Sequence, residues 1–484
     1  MDTDEHVFAM IEPDAPKPPA TPSASIVEDE PEVRPGGLPL YAWVLMAVAL
    51  AVPVGMALGM DASVADRLPG PALAAFKALA VGLDLMPKLI IRAIGALAAP
   101  LIVLAILQAI VTNELHGRQA ARMMAYYLVN TLIAMVIGLG LSNLIRPGVG
   151  ANLGGGAVNG GQGATRLIQV LAPVPLKAAS LPPSKTVTDI LIDLVPKSIG
   201  DAFSQNNLAQ LVLLTLAFGI ALTKLRDEHK ARGETSYRTL VNIITAGFEL
   251  LMKVLMWVIA LVPLAVFGVV AVSIAREGFD LFINLGWFIV AVLIGLALQV
   301  SLYLGEMGLF ARMSPTRFLR SSGDVLATTF STASTAATIP VTLRSLTSKL
   351  GVSRASSQMA ACIGTNFNND GTALYQASAV LFFAQAMGND LPLTSQVIIV
   401  LTTLIASVGA GGIPSGSFVT LPLIFTAVGL SADSIPLLLT IDWFLDRCRT
   451  SSNVLGDMTV AVLLDRTEPS LHGNEPNQVE ESRS

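Results

Sequence analysis

Along most of this chain, long apolar runs without a single charge alternate with short polar stretches. Six such runs, at residues 41–60, 93–112, 123–145, 206–223, 254–275 and 281–305, come near the ~20 residues a helix needs to cross a bilayer. The second is expected to belong to a helix that starts earlier, before Lys88 and Arg92. After Gly305 the pattern changes. Residues 325–343, VLATTFSTASTAATIPVTL, carry no charge but are rich in Ser and Thr and are interrupted by Pro340. Residues 391–432 hold no Lys, Arg, Asp or Glu, are too long for one span, and carry SVGAGGIPSGS near the middle.

Glycine and proline at that density disrupt a continuous helix. Backbone released at membrane depth is tolerated only where protein or a wet cavity satisfies it. Both segments therefore read as re-entrant hairpins, at 315–345 and 393–428. Each is followed by a span with polar residues inside, 355–389 with NFNNDG and 435–464 with IDWFLDRCRTSSNVLGD. Hairpin then span, twice over, is the layout of an internal repeat, and broken segments at matching positions in two halves point to a transport site. The alternative for 391–432 is two ordinary spans joined by a Gly/Pro turn. Setting that turn aside leaves about 15 residues on each side, short of the ~17 a span requires.

Composition agrees with a membrane chain. Of 484 residues, 53% are hydrophobic and 13% charged, with a mean hydropathy of +0.65, whereas a soluble surface needs far more charge. The predicted class is an all-α polytopic membrane protein. Residues 1–38, with EPDAPKPPATPSAS and VEDEPEVRPGG, bury too little to order themselves and are expected to form a disordered cytosolic tail. They lack a basic start before an apolar core, so no signal peptide is expected. The transporter proper is expected at 39–465, with six spans in 39–305, and a short cytosolic tail at 466–484. GANLGGGAVNGGQGATR, after the third run, reads as an exposed loop.

Orientation follows from the basic residues of the short loops. Arg118 and Arg122, then Lys224, Arg226, Lys230, Arg232 and Arg238, then Arg312, Arg317 and Arg320 fall on one side, the cytosol, which places both termini inside. Lys177, Lys185 and Arg276 form a sparser outer set. The expected location is the cell membrane, the inner membrane in a bacterium. Cys362 and Cys448 lie inside apolar or polar-functional segments, so no disulfide framework is expected. The four histidines, His6, His116, His229 and His472, sit in tails or polar loops, away from any intramembrane proton path. No catalytic triad, Walker motif or metalloprotease motif occurs, so neither an enzyme nor a nucleic-acid partner is expected.

The densest chemistry lies in IDWFLDRCRTSSNVLGD. Asp442, Asp446, Arg449, Asn453 and Asp457 are spaced 4, 3, 4 and 4 apart and fall within an arc of about 80° on a helix, with Arg447 well off it. Ionisable groups inside a membrane are costly and are usually functional or paired. A purely structural account pairs Asp442 and Asp446 with Arg449 within the helix, but it leaves Asn453 and Asp457 on the same stripe unexplained. The chemistry suits a zwitterionic acidic solute: an aspartate accepts bonds from an ammonium, and a guanidinium binds a carboxylate through parallel bonds. The hairpins offer the hydroxyls of Ser334 and Thr335 and free backbone N–H groups. Asn368 and Asp370 of NFNNDG offer oxygens suited to a hard monovalent cation, against a plain reading as a polar kink satisfied by its own amides.

These residues resemble the dicarboxylate/amino acid:cation symporters, a family that includes the glutamate and aspartate transporters. The resemblance runs from about residue 40 to residue 465 and is most specific in STAATIPVT, NNDGTALYQA, ASVGAGGIPSG and DWFLDRCRTSSNVLGD, with YYLVNTLIAMVIGLGLSNLIRPG in the first half. It implies eight transmembrane helices and two re-entrant hairpins in inverted repeats, assembled as a homotrimer. A scaffold of spans 1, 2, 4 and 5 would support a transport domain of spans 3, 6, 7, 8 and the hairpins that moves as an elevator. By position, Asp446 would hold the substrate ammonium and Arg449 its side-chain carboxylate. Thr450, Asn453, Ser334, Thr335, Thr372 and the backbone at Ile413 would hold the rest. Neutral-amino-acid members lack an arginine at the position of Arg449. Ala333 and Arg447 place an arginine in span 8 rather than in hairpin 1, as in the animal glutamate transporters.

For the cotransported ion, sodium by the resemblance, Asp457, Asn453, Asn368 and the Gly364 carbonyl match one site. Tyr127, Thr131, Asn368 and Asp370 match another, with Asn130 where a threonine is usual. A third is formed by span 7 and by the hairpin 2 carbonyls of Ser407, Val408 and Ala410. There Asn369 replaces a methionine and Asn366 a threonine. Gln376 stands where animal members carry a glutamate used in proton coupling, so proton cotransport through that residue is not expected. No cofactor is implied. The function expected is cation-coupled uptake of aspartate or glutamate. A C4-dicarboxylate or proton-coupled carrier of the same fold is one alternative, and an anion channel or substrate sensor is another.

Overall fold

In the computed structural model of the protein, the structure describes residues 40–58, 69–112, 117–151, 195–204, 208–277, 280–410, 416–430 and 432–467. The tail at 1–38, most of the glycine-rich loop, Lys177, Lys185, His116, Ile413 and residues 468–484 lie outside them. Among the described residues the regular structure is helical, with no strand. That follows from the solvent: in hydrocarbon a helix satisfies every backbone donor within its own segment.

The first half supplies α1 (Leu40–Leu58), α2 (Gly70–Thr112), α3 (Gly117–Ile145), the short α4 (Ile199–Ser204), α5 (Leu208–Ala231), α6 (Ser236–Ile259), α7 (Val262–Glu277) and α8 (Asp280–Leu309). Helix α2 does begin well before Lys88, and an ion pair from Lys88 to Asp84 one turn earlier, at 2.6 Å, offsets the charge it carries. Among the described residues, five stretches are long and apolar enough to cross a membrane: Leu40–Leu58, Val81–Gln108, Arg118–Ile145, Ser236–Ala275 and Phe282–Leu309. Their outward side chains, among them Leu50, Val136, Leu250, Trp257 and Ile283, are more than half exposed in the single chain, as a lipid-facing surface requires.

Two sequence expectations need correction here. The run at 254–275 is not one helix: α6 ends at Ile259 and α7 starts at Val262. At the joint Leu261 N–H turns to the Val258 carbonyl, and Pro263, which has no N–H, can only continue the chain as the opening of a new helix. The second concerns Pro340. It does not interrupt its segment but lies inside a helix.

The second half contains α9 (Pro315–Ser321), α10 (Gly323–Thr332), α11 (Thr335–Arg344), α12 (Arg354–Phe367), α13 (Asp370–Ala386), α14 (Leu393–Ala410), α15 (Ser417–Ala427) and α16 (Leu439–Thr467). The break in residues 325–343 falls at Ala333, in the left-handed region (φ 52°), with its N–H on the Thr329 carbonyl. Ser334 then caps α11, its Oγ accepting the Ala337 N–H at 3.2 Å. The region 355–389 is two helices parted at Asn368–Asn369, and α16 follows a 3₁₀ segment, Ala432–Leu438, that contains Pro436.

The helices pack in two groups. Helices α1, α2, α5, α6 and α7 pack on one another, and α3, α8 and α10–α16 form the second group with α16 at its centre. Gly55 sets the spacing in the first, since a Cβ there would stand 2.7 Å from the Ala271 carbonyl of α7. The groups meet where α2 and α5 touch α14 and α15, and where α7 touches α16. Helix α15, eleven residues long, covers about 16 Å, roughly half the hydrocarbon thickness.

Candidate functional site

The helical spacing of the charged stripe on α16 brings Asp442, Asp446, Arg449, Asn453 and Asp457 to the inside of the second group, and all five are buried. Arg449 Nη2 donates to Oδ1 of Asp446 at 2.7 Å, to Oδ1 of Asp442 at 2.8 Å and to Ser417 Oγ, on α15, at 3.3 Å. Its Cζ stands 3.9 Å from the centre of the Tyr375 ring on α13. The guanidinium is thus held by two carboxylates and a π face, while its Nε and Nη1 have no hydrogen-bond partner among the described residues. A buried donor without a partner carries a desolvation cost that a bound carboxylate would relieve. The two aspartates differ in access: the Asp446 side chain is 12% exposed and that of Asp442 4%. Arg447 points elsewhere, over the Tyr41 ring of α1 at 5.3 Å.

One turn on, Asn453 sits against the start of α13. Its Oδ1 accepts the Gly371 N–H at 2.8 Å, and its Nδ2 donates to Thr372 Oγ1 at 3.2 Å and Asn369 Oδ1 at 3.4 Å. Below it, Asn368 Nδ2 donates to Asp457 Oδ1 and to the Asn453 carbonyl, both at 2.9 Å. Asn368 Oδ1 is buried with no partner among the described residues. Gly364, on α12, faces the Asp457 carboxylate so closely that a Cβ there would overlap it. A buried carboxylate beside an amide oxygen that no described residue satisfies is oxygen chemistry that fits a hard cation.

Asp370 forms a second oxygen cluster. Its Oδ1 accepts from Thr131 Oγ1 at 2.5 Å, and its Oδ2 from the Tyr303 hydroxyl at 2.7 Å and, weakly, Gln299 Nε2 at 3.5 Å. Tyr127 donates to the Ala360 carbonyl at 2.9 Å and lies beside Gly364. Asn130, next to Thr131, donates to Glu306 Oε2 at 3.4 Å and passes its carbonyl to Gln299.

The α12–α13 break and the end of α14 meet at Asn369. Ser334 Oγ is used as the cap of α11, while Thr335 Oγ1 is buried with no partner among the described residues. Thr450 Oγ1 donates back to the Asp446 carbonyl. Ser407, Val408 and Ala410 form the last turn of α14, and Asn369 Nδ2 donates to the Ser407 carbonyl at 2.8 Å and to the Asn366 carbonyl at 3.5 Å. Gln376 Nε2 donates to Thr420 Oγ1 on α15 at 2.5 Å.

Sequence reasoning missed Tyr375 and Ser417 beside Arg449, and Gln299, Tyr303 and Glu306 around Asp370 and Asn130. The first two lie on separate helices and leave no local signal. Gln299, Tyr303 and Glu306 do leave one, as polar positions recurring at helical spacing toward the end of α8, whose 281–305 run is largely apolar.

Comparison with known proteins gives a match between residues 40–467 and the model of the sodium:dicarboxylate symporter family. Similar proteins include the neutral amino acid transporter B(0) of Bos taurus, 32% identical over 88% of this chain and 80% of its own length. The excitatory amino acid transporter 3 of Homo sapiens is 28% identical over 86% and 83%, and the excitatory amino acid transporter 2 of Rattus norvegicus 31% over 76% and 70%.

Proposed function

Since the chain belongs to the sodium:dicarboxylate symporter family, and so to membrane transporters rather than enzymes, we propose that it takes up aspartate or glutamate with sodium. The similar proteins include neutral and excitatory amino acid transporters at about the same identity, so overall likeness does not select the substrate. The observation that carries the acidic reading is Arg449, a buried guanidinium with unpartnered donors, one turn from the more accessible Asp446.

In this reading the substrate ammonium draws Asp446 away from Arg449, and the side-chain carboxylate takes its place on the guanidinium. Asp442 stays on Arg449 throughout and keeps it oriented against Tyr375. Thr335, Thr372, Thr450, Asn453 and the first turn of α11 behind Ser334 hold the remaining carboxylate, with Ile413 contributing backbone. Sodium is held at Asp457, Asn453, Asn368 and Gly364, and at Asp370, Asn368, Tyr127 and Thr131 with Asn130 alongside; bound there, it compensates the buried carboxylates. The second helix group, with α10–α11 and α14–α15 as re-entrant hairpins, moves as an elevator against a scaffold formed by the first. Three copies assemble, with both termini in the cytosol.

Liposomes containing the purified protein are expected to accumulate labelled aspartate under an inward sodium gradient, with succinate a poor competitor because it offers Asp446 no ammonium. Absence of uptake under sodium, proton and other monovalent-cation gradients overturns the proposal, as does current without accumulation.

A further inference from the structure

The third cation site that the resemblance implies, at Asn366, Asn369 and the carbonyls ending α14, does not fit the residues present. Two of its carbonyls are already engaged by the side chain of Asn369. That residue is 3% exposed and sits in the break between α12 and α13, where its Nδ2 donates to the carbonyls of Ser407 and Asn366.

The orientation of this amide is fixed by a chain of one-way donors and acceptors. The Gly371 N–H can only donate, so the oxygen of Asn453 must face it. Asn453 Nδ2 is then turned toward Asn369, which presents its oxygen in return. That leaves the Asn369 NH₂ pointing at two main-chain carbonyls, which can only accept. Carbonyls in the last turns of two helices carry the negative end of the helix dipole, an arrangement that otherwise attracts a cation. Here the positive end of a tethered amide occupies the point between them and opposes an ion arriving there.

We propose that Asn369 is a positioning residue whose amide replaces the third cation, tying the last turn of α14 to the α12–α13 break and, through Asn453, to the charged face of α16. The contact between α14 and the break then forms without an ion, and each transport cycle carries no cation at this point. A methionine at this position would leave the Ser407 and Asn366 carbonyls without a donor and open to a cation. The contact itself does not depend on the symport reading, whereas the consequence for the cycle rests on it.

The test is hydrogen exchange of the full-length protein in lipid nanodiscs, in choline and in sodium chloride, with uptake measured on the same preparation. For the wild type, exchange at the end of α14 and of α12 is expected to be slow in choline and to change less than twofold in sodium. In Asn369→Met it should be at least tenfold faster in choline and return toward the wild-type rate in sodium. The sodium dependence of that variant's uptake should steepen by about one ion. Asn369→Asp, which keeps the shape but turns the donor into an acceptor, should behave likewise and serves if the methionine variant does not fold. A wild type that needs sodium for protection, or a variant as protected as the wild type in choline, overturns the inference. Sodium-driven aspartate uptake alongside an unprotected wild type defeats this inference alone. Protection in choline with no uptake under any cation gradient defeats the symport reading alone.

Discussion

Replacing Gly364 by alanine is the sharpest structural perturbation of the proposed ion machinery. Gly364 lies on α12 with no side chain because the Asp457 carboxylate and the Tyr127 hydroxyl fill that space. A Cβ there would overlap one carboxylate oxygen and stand 2.6 Å from both Asp457 Cγ and Tyr127 Oη. Asp457 is buried in the middle of α16 and cannot swing into solvent, so it must shift on its own helix. That shift loosens the 2.9 Å bond from Asn368, a charge-assisted contact of roughly 1.5–3 kcal/mol. If this loss falls on ion binding, the sodium concentration for half-maximal uptake rises about ten- to a hundredfold, at ~1.4 kcal/mol per decade. Overpacking of a further ~1–3 kcal/mol should appear separately as a lower melting temperature. The assay is aspartate uptake against external sodium in proteoliposomes, with Gly286→Ala as control because nothing lies within 4 Å of a Cβ there. A Gly364→Ala protein whose sodium half-saturation stays within twofold of wild type refutes the reasoning.

Tyr375→Leu should raise the aspartate half-saturation about tenfold or more, since a desolvated cation–π contact is worth ~2 kcal/mol. Tyr375→Phe should stay near wild type, because the tyrosine hydroxyl has no hydrogen-bond partner among the described residues. Loss of affinity in the phenylalanine variant would mean that the hydroxyl, not the ring, matters. Asn453→Ala removes the acceptor of the buried Gly371 N–H, a cost of ~1–3 kcal/mol, and should lower both the melting temperature and the sodium affinity; an unchanged melting curve would contradict the bond.

The most legible parts of this molecule were those in which one helix carries the whole signal. The stripe on α16 is visible because charge inside a membrane is costly and recurs at helical spacing, and α16 indeed buries all five members. The early start of α2 was legible for the same reason, as apolar sequence continues ahead of Lys88. Breaks were harder. Pro340 looks like an interruption but is absorbed within α11, whereas the break sits at Ala333, a residue with no turn preference of its own. The joint at Ala260–Leu261 hides in apolar sequence, with Pro263 as its one local mark. Partners across helices were harder still: the pairing of Arg449 with Asp442 and Asp446 is legible along α16, but nothing in the sequence tells that Ser417 and Tyr375 join it. The substitution at Asn369 was visible in sequence, but its meaning required seeing which carbonyls its amide meets.

We read Arg449 as the residue that makes this chain a carrier of acidic amino acids. This role is tested most directly by comparing labelled aspartate and labelled serine in wild-type and Arg449→Cys proteoliposomes under one sodium gradient. The wild type is expected to accumulate aspartate and exclude serine. The variant should lose aspartate affinity by about a hundredfold, equivalent to ~3 kcal/mol for a charge-assisted contact, and accept serine instead. Aspartate uptake by Arg449→Cys at the wild-type half-saturation, or a wild type that prefers serine, would contradict it.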